Sequence, residues 1–165
     1  MLYTDFLREW ASEGVAYSNE ELARLFESNE NFESIIDVDA PVFVAPGTAA
    51  NKMTERIKIF CSSRRLREPI THGEIISTVL HSIAAAYAKA IKHIEQASGV
   101  KIERICVIGG GSRNQTLNRL TEQATGLPLV LGPSEATALG NIIVQMEIAM
   151  FLSQPILCSR AAIAP

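Results

Sequence analysis

The stretch Val107–Leu120, VIGGGSRNQTLNRL, sets three consecutive glycines between an apolar run and an amphipathic one. One glycine is ordinary in a turn between a strand and a helix. Each further one costs roughly 0.5–1 kcal/mol relative to alanine through backbone entropy lost on folding. A run of three is therefore kept where the backbone must take positive φ, or where another group must come close to it. The flanks say what the turn joins. Arg104–Ile108 (RICVI) reads as a short buried strand, and the stretch from about Asn114 to Thr125 as a helix closed by Gly126. LPLVL then makes a second strand. GPSEATALGNIIVQMEIAMFL makes a further helix, with Ser134 as its N-cap and Glu135 in the first turn. Strand, glycine turn, helix, strand, helix is the order of an α/β protein with a mostly buried sheet.

The chain upstream is helical in its periods. Phe6, Leu7 and Trp10 share one face of a helix over Thr4–Ala11. Ser18 and Glu21 have the spacing of a capping box ahead of the stripe Leu22, Leu25 and Phe26. DVDAPVFVAPGTAAN is a loop, with Val42–Val44 as an edge strand. Met53–Cys61 is helical, and SSRRLREP after it reads as a solvated basic connection. The longest helix spans Gly73–Ala97, with Gly99 placed to end it. Residues 151–165, with Pro155 and no clean period, read as a poorly defined tail after a domain of residues 1–150.

Composition narrows the classes. With 165 residues, 47% hydrophobic and 20% charged, the chain has the size and make-up of one folded domain. A net charge of −3 argues against broad nucleic-acid binding but leaves open an anion site built from backbone amides. Cys61, Cys106 and Cys158 are widely spaced, and so are His72, His81 and His93, so neither a disulfide framework nor a metal site is expected. Cys106, inside an apolar run, reads as a small packed hydrophobe. Asp5, Asp37 and Asp39 fit no catalytic motif and read as turn and surface carboxylates. Charged residues run through MLYTDFLREW where a signal peptide would be apolar, and no run of eighteen apolar residues exists. A cytoplasmic protein without membrane attachment is the expectation.

The glycine run does not match the two common phosphate loops. No Gly-Lys-Ser/Thr ending follows it, as a Walker loop needs. A dinucleotide fingerprint needs a third glycine where this chain has Asn114, and an acidic ribose partner where Gly132-Pro133 follows the second strand. A nucleotide-binding oxidoreductase is disfavoured on that ground. What remains is either a bare turn or a surface against which a flat ring can lie, next to free N–H groups at a helix start.

Ile102–Gln145, IERICVIGGGSRNQTLNRLTEQATGLPLVLGPSEATALGNIIVQ, resembles the adenosine-binding segment of the FGGY carbohydrate kinases and within them is most similar to the rhamnulokinases. Gly109–Asn141 is the specific part. IIDVDAPVFVAPG, MTERIKIFC and FLREWASEGVAYSNEELARL extend the likeness upstream, so that it covers the chain to about Ile148. The resemblance implies α/β structure belonging to the second lobe of an actin-like (ribonuclease H-like) ATPase fold, with helices packed on a short sheet. It implies that Gly109, Gly110 and Gly111 approach adenosine and that Asn114 sits beside the adenine. The family reaction moves the γ-phosphoryl of ATP, with Mg²⁺, to a ketose hydroxyl, L-rhamnulose in rhamnulokinases. The catalytic aspartate and the Mg²⁺ partners of the family fall in sequence that this chain does not include. The expectation is thus a C-terminal fragment with part of the adenosine site, no catalytic residue, no tightly bound cofactor, and self-association through apolar surface left bare. The alternative is a stand-alone, non-catalytic adenine-nucleotide-binding or interaction module.

Overall fold

The computed structural model describes residues 2–45, 48 and 50–153. In chain order the elements are α1 (Leu2–Ser12), α2 (Asn19–Glu27), a 3₁₀ turn (Pro41–Phe43), α3 (Met53–Ser63), α4 (His72–Ser98), β1 (Ile105–Val107), a second 3₁₀ turn (Gly109–Arg113), α5 (Gln115–Thr125), β2 (Leu129–Leu131) and α6 (Ala136–Ser153). They fall into two compact units. One comprises the chain up to Cys106 together with Asn114–Val130; the other comprises Val107–Arg113 and the chain from Leu131 on.

Local chemistry sets most helix ends in the first unit. At α2 the Ser18 hydroxyl accepts the Glu21 N–H while the Glu21 carboxylate takes the Ser18 N–H, completing the capping box. Thr71 and Glu74 do the same for α4, a box the sequence reading did not single out. Gly99 and Gly126 end α4 and α5 in the left-handed conformation, φ +69° and +68°. The start of α3 has no cap of its own. The Glu9 carboxylate on α1 supplies it, accepting the Met53 N–H at 2.7 Å and the Thr54 N–H at 3.4 Å.

The core of this unit gathers Phe6 and Trp10 of α1, Phe26 of α2, Met53, Ile57 and Cys61 of α3, and Ile75, Ile76 and Val79 of α4, all but withdrawn from solvent. Removing side chains of this size from water stabilises by about 1.5–3 kcal/mol each, which explains why four helices hold together here. Only the first half of α4 is consumed by this core; Tyr87 and Ile94 in its second half are exposed. His72, the first residue of α4, lies flat on Trp10 with ring centroids 3.9 Å apart, and its Nδ1 shares a 2.9 Å hydrogen bond with the Tyr17 hydroxyl. Burial holds the His72 imidazole below its usual pKa.

Several sequence expectations need correction. Val42–Val44 is not an edge strand: Pro41 opens a 3₁₀ turn in which Phe43 is buried and Val42 and Val44 are exposed. The buried Arg56 guanidinium donates to the carbonyls of Val42, Ala45 and Asn51, taking acceptors that a strand would need for a ladder. The basic run after α3 is exposed at Arg64, Arg65 and Arg67, as a solvated connection should be, and one of its arginines also makes specific contacts. Arg67 lies over the Phe32 ring at 4.4 Å and pairs with Glu74 at 3.4 Å. Asp5 is buried on α1 and bonds Arg8, whereas Asp37 behaves as a turn residue, accepting the Asp39 N–H.

β1 and β2 form a two-stranded sheet joined through α5, a connection long enough for a parallel pair. The Ile105 N–H reaches the Pro128 carbonyl and the Gly132 N–H the Val107 carbonyl, the register of parallel strands. The strands are not buried, and Cys106 is exposed rather than packed, because the described residues place no layer over that face. The thiol that does behave as a small hydrophobe is Cys61, whose pKa burial raises to about 11, with Glu68 adding to it. α6 starts later than expected: the Glu135 carbonyl accepts the first helical N–H, from Leu139, so Glu135 rather than Ser134 is the N-cap residue. The expected tail lies, from residue 154, outside the described residues.

Candidate functional site

The three glycines form the start of the 3₁₀ turn Gly109–Arg113, and they do not share one role. Gly109 takes φ +73°, a conformation that L side chains resist, and its N–H is bonded to the Pro133 carbonyl at 3.0 Å. Its own carbonyl accepts the Ser112 hydroxyl at 2.8 Å, which closes the turn. Gly110 is not a positive-φ residue, and a Cβ built on it would meet nothing within 4 Å. At Gly111 a Cβ would make ordinary contact with Val107 Cγ1 at 3.7 Å. Of these three glycines, then, only Gly109 needs to be glycine for the sake of the described fold. Open space lies over Gly110.

Gly132, not singled out by sequence, is the contrast. A Cβ there would stand 2.8 Å from Ile108 Cγ2, so this glycine lets two segments of the same unit touch. Those segments, 107–113 and 131–135, are also joined by side chains. Arg113 Nη2 donates to Ser134 Oγ at 3.0 Å and to Glu135 Oε1 at 2.8 Å. The Ser134 carbonyl lies 4.0 Å from the position of a Gly109 Cβ. The connection after β2 therefore runs along the glycine turn, which no spacing rule in the sequence discloses.

Asn114 belongs to the other unit and has structural work there. It is the N-cap of α5, its Oδ1 accepting the Leu117 N–H at 3.0 Å. Its side chain also hydrogen-bonds Tyr3, whose phenol is pushed up by burial and drawn partly back by that bond. An open groove of about 430 Å³ between α4 and α5, lined in part by Lys89, Lys92, His93 and Ala124, includes none of the expected site residues. No group of three or more His, Cys, Asp and Glu side chains able to hold a metal ion exists among the described residues. None of the described helices is long and apolar enough to cross a membrane.

Residues 2–149 match the model of the C-terminal domain of the FGGY family of carbohydrate kinases. The chain belongs to that family. The helix-rich α/β structure with its short parallel sheet is accordingly part of an actin-like ATPase fold. Among similar proteins, a rhamnulokinase of Oceanobacillus iheyensis is 42% identical over 117 residues, covering 71% of this chain and 24% of that protein. A rhamnulokinase of Bacteroides thetaiotaomicron is 38% identical over 125 residues, 76% of this chain and 25% of that protein. One of Bacillus subtilis is 36% identical over 130 residues, 79% and 26% respectively. This FGGY domain thus spans about a quarter of the length of the curated relatives it matches.

Proposed function

We propose that this FGGY domain carries the adenosine-binding part of an ATP-dependent sugar kinase whose acceptor is L-rhamnulose, and that adenosine lies against Gly109–Gly111. The observation behind this reading is the open surface at Gly110. Its backbone conformation would accept a side chain and no atom of the described residues occupies the space, yet the position is glycine within a run of three. A ring stacking on bare backbone accounts for that. A turn alone accounts only for Gly109. The sugar is taken from the relatives, each a rhamnulokinase.

Phosphoryl transfer depends on positioning and on neutralising charge around the γ-phosphate, through Mg²⁺, a base for the attacking hydroxyl, and cationic donors. The reading gives this chain no step at the phosphates. Its residues bind and orient the nucleoside. Alone it should bind ATP at millimolar affinity and transfer nothing.

The test is a titration of the 165-residue chain with ATP, followed by backbone amide shifts, beside a coupled assay of ADP release with L-rhamnulose. Shifts clustered at 107–117 and 134–141 without sugar-dependent ADP release are the expected result. Amides that stay still at saturating ATP would remove the adenosine reading, and sugar-dependent turnover would remove the assignment of the chemistry to other parts.

A further inference from the structure

We propose that Glu135 is the acceptor for the ribose hydroxyls of the bound nucleoside, with Arg113 as the positioning residue that holds its carboxylate beside the glycine turn. This rests on the reading of Gly109–Gly111 as an adenosine surface and extends it from the base to the sugar. Nucleoside sites of α/β proteins commonly use an acidic side chain for the ribose diol, because two adjacent hydroxyls are donors and a carboxylate only accepts. In the sequence the place directly after the second strand holds Gly132 and Pro133, which can supply no such group.

The fold brings one in from slightly further on. Backbone bonds from Gly132 N–H to the Val107 carbonyl and from Gly109 N–H to the Pro133 carbonyl, at 2.9 and 3.0 Å, lay the connection along the turn. The Ser134 carbonyl comes within 4.0 Å of the Gly109 Cβ position, so Glu135 directly follows a residue that lies beside the glycine turn. Arg113, the last residue of the turn, then fixes the Glu135 carboxylate through Oε1 at 2.8 Å and steadies its own guanidinium on Ser134 Oγ at 3.0 Å. One guanidinium bond leaves a carboxylate with further lone pairs to accept from a ligand. The Glu135 side chain is 70% exposed, which leaves it open to a ligand. An ion pair this exposed contributes little to folding, so stability is a weak explanation for its geometry.

The experiment compares adenosine with 2′,3′-dideoxyadenosine, both without phosphates, by amide-shift titration of the full chain and of Glu135→Gln, Arg113→Ala and Arg113→Lys. Wild type should bind adenosine about tenfold more tightly than the dideoxy compound, the difference expected from hydrogen bonds to a charged acceptor. Glu135→Gln should bind both alike, at the weaker affinity. Arg113→Ala should lose most of the preference and Arg113→Lys should keep most of it, with the melting temperature unchanged throughout. Equal weakening of both ligands in Glu135→Gln, or a diol preference that survives it, would overturn the role of Glu135 while leaving the adenosine surface intact. If wild type binds both compounds through Gly109–Gly111 with no preference, the role of Glu135 is likewise wrong. If wild type binds neither, the adenosine reading itself fails and the ribose role falls with it.

Discussion

Replacing Gly110 with valine should separate a ligand surface from a mere turn. The backbone there accepts an L residue without strain, and an added Cβ meets nothing within 4 Å. An exposed substitution of this kind changes stability by no more than about 0.5 kcal/mol. For a chain of this size that is a melting shift of about 2 °C or less. Binding should respond differently. A ring in van der Waals contact with the bare backbone sits about 3.5–4.0 Å away, and the isopropyl group fills that space. Millimolar affinity corresponds to about 4 kcal/mol, so losing the stacked contacts of one ring face, about 1.4 kcal/mol or more, moves the dissociation constant beyond 10 mM. Gly109→Ala is the internal control, since at φ +73° even a methyl group costs about 1–2 kcal/mol through the backbone itself. The assays are thermal melting and amide-shift titration with ATP on the three proteins. Gly110→Val should melt like wild type and show no saturable shifts, whereas Gly109→Ala should perturb the amides of 107–113 before any nucleotide is added. If Gly110→Val binds as well as wild type, nothing lies against that glycine and the run is only a turn.

Three further outcomes follow from the structure. Asn114→Ala should destabilise by about 1 kcal/mol through loss of the α5 cap, and Asn114→Asp should retain the cap; if the aspartate variant melts like wild type but binds adenosine more weakly, Asn114 also serves the base. For His72 the folded pKa lies below the unfolded value of about 6.5, so the unfolded chain takes up the proton first and stability falls as the pH drops below about 6.5. Melting at pH 7.5 and 5.5 should show that loss in wild type and a smaller one in His72→Phe, which keeps the ring on Trp10. In α6, Leu139, Ile142, Ile143, Val144, Met146 and Ile148 are each about half exposed, and a helix apolar on all sides is normally a covered one. We therefore expect the chain to self-associate through α6; light scattering should give a mass above 18.0 kDa that returns to it in Ile142→Glu, and a wild-type monomer at high concentration would refute this.

What could be read from the sequence was whatever depends on neighbours along the chain. The Ser18–Glu21 capping box, the left-handed Gly99 and Gly126, and the helical stripes through Phe6, Phe26 and Ile76 involve residues within a turn or two of each other. The caps are settled by neighbours along the chain; the stripes mark which face will be buried, although their burial energy comes only with tertiary packing. The glycine run and the GPSEATALGN segment were equally visible, because an absent Cβ is written in the sequence. Tertiary structure decided the rest. Glu9 caps α3 from 44 residues away, and Tyr17 meets His72 across 55. Val42–Val44 forms a 3₁₀ turn rather than a strand, with Arg56 claiming the Val42 carbonyl, and Cys106 is exposed because no described layer covers its side of the sheet. At the site, sequence spacing put no acid after β2, and only the parallel pairing of β1 with β2 brought Arg113 and Glu135 together. A side chain's own type fixes what it can accept or donate. Which partner it finds depends on where the backbone returns, and that is a property of the folded chain.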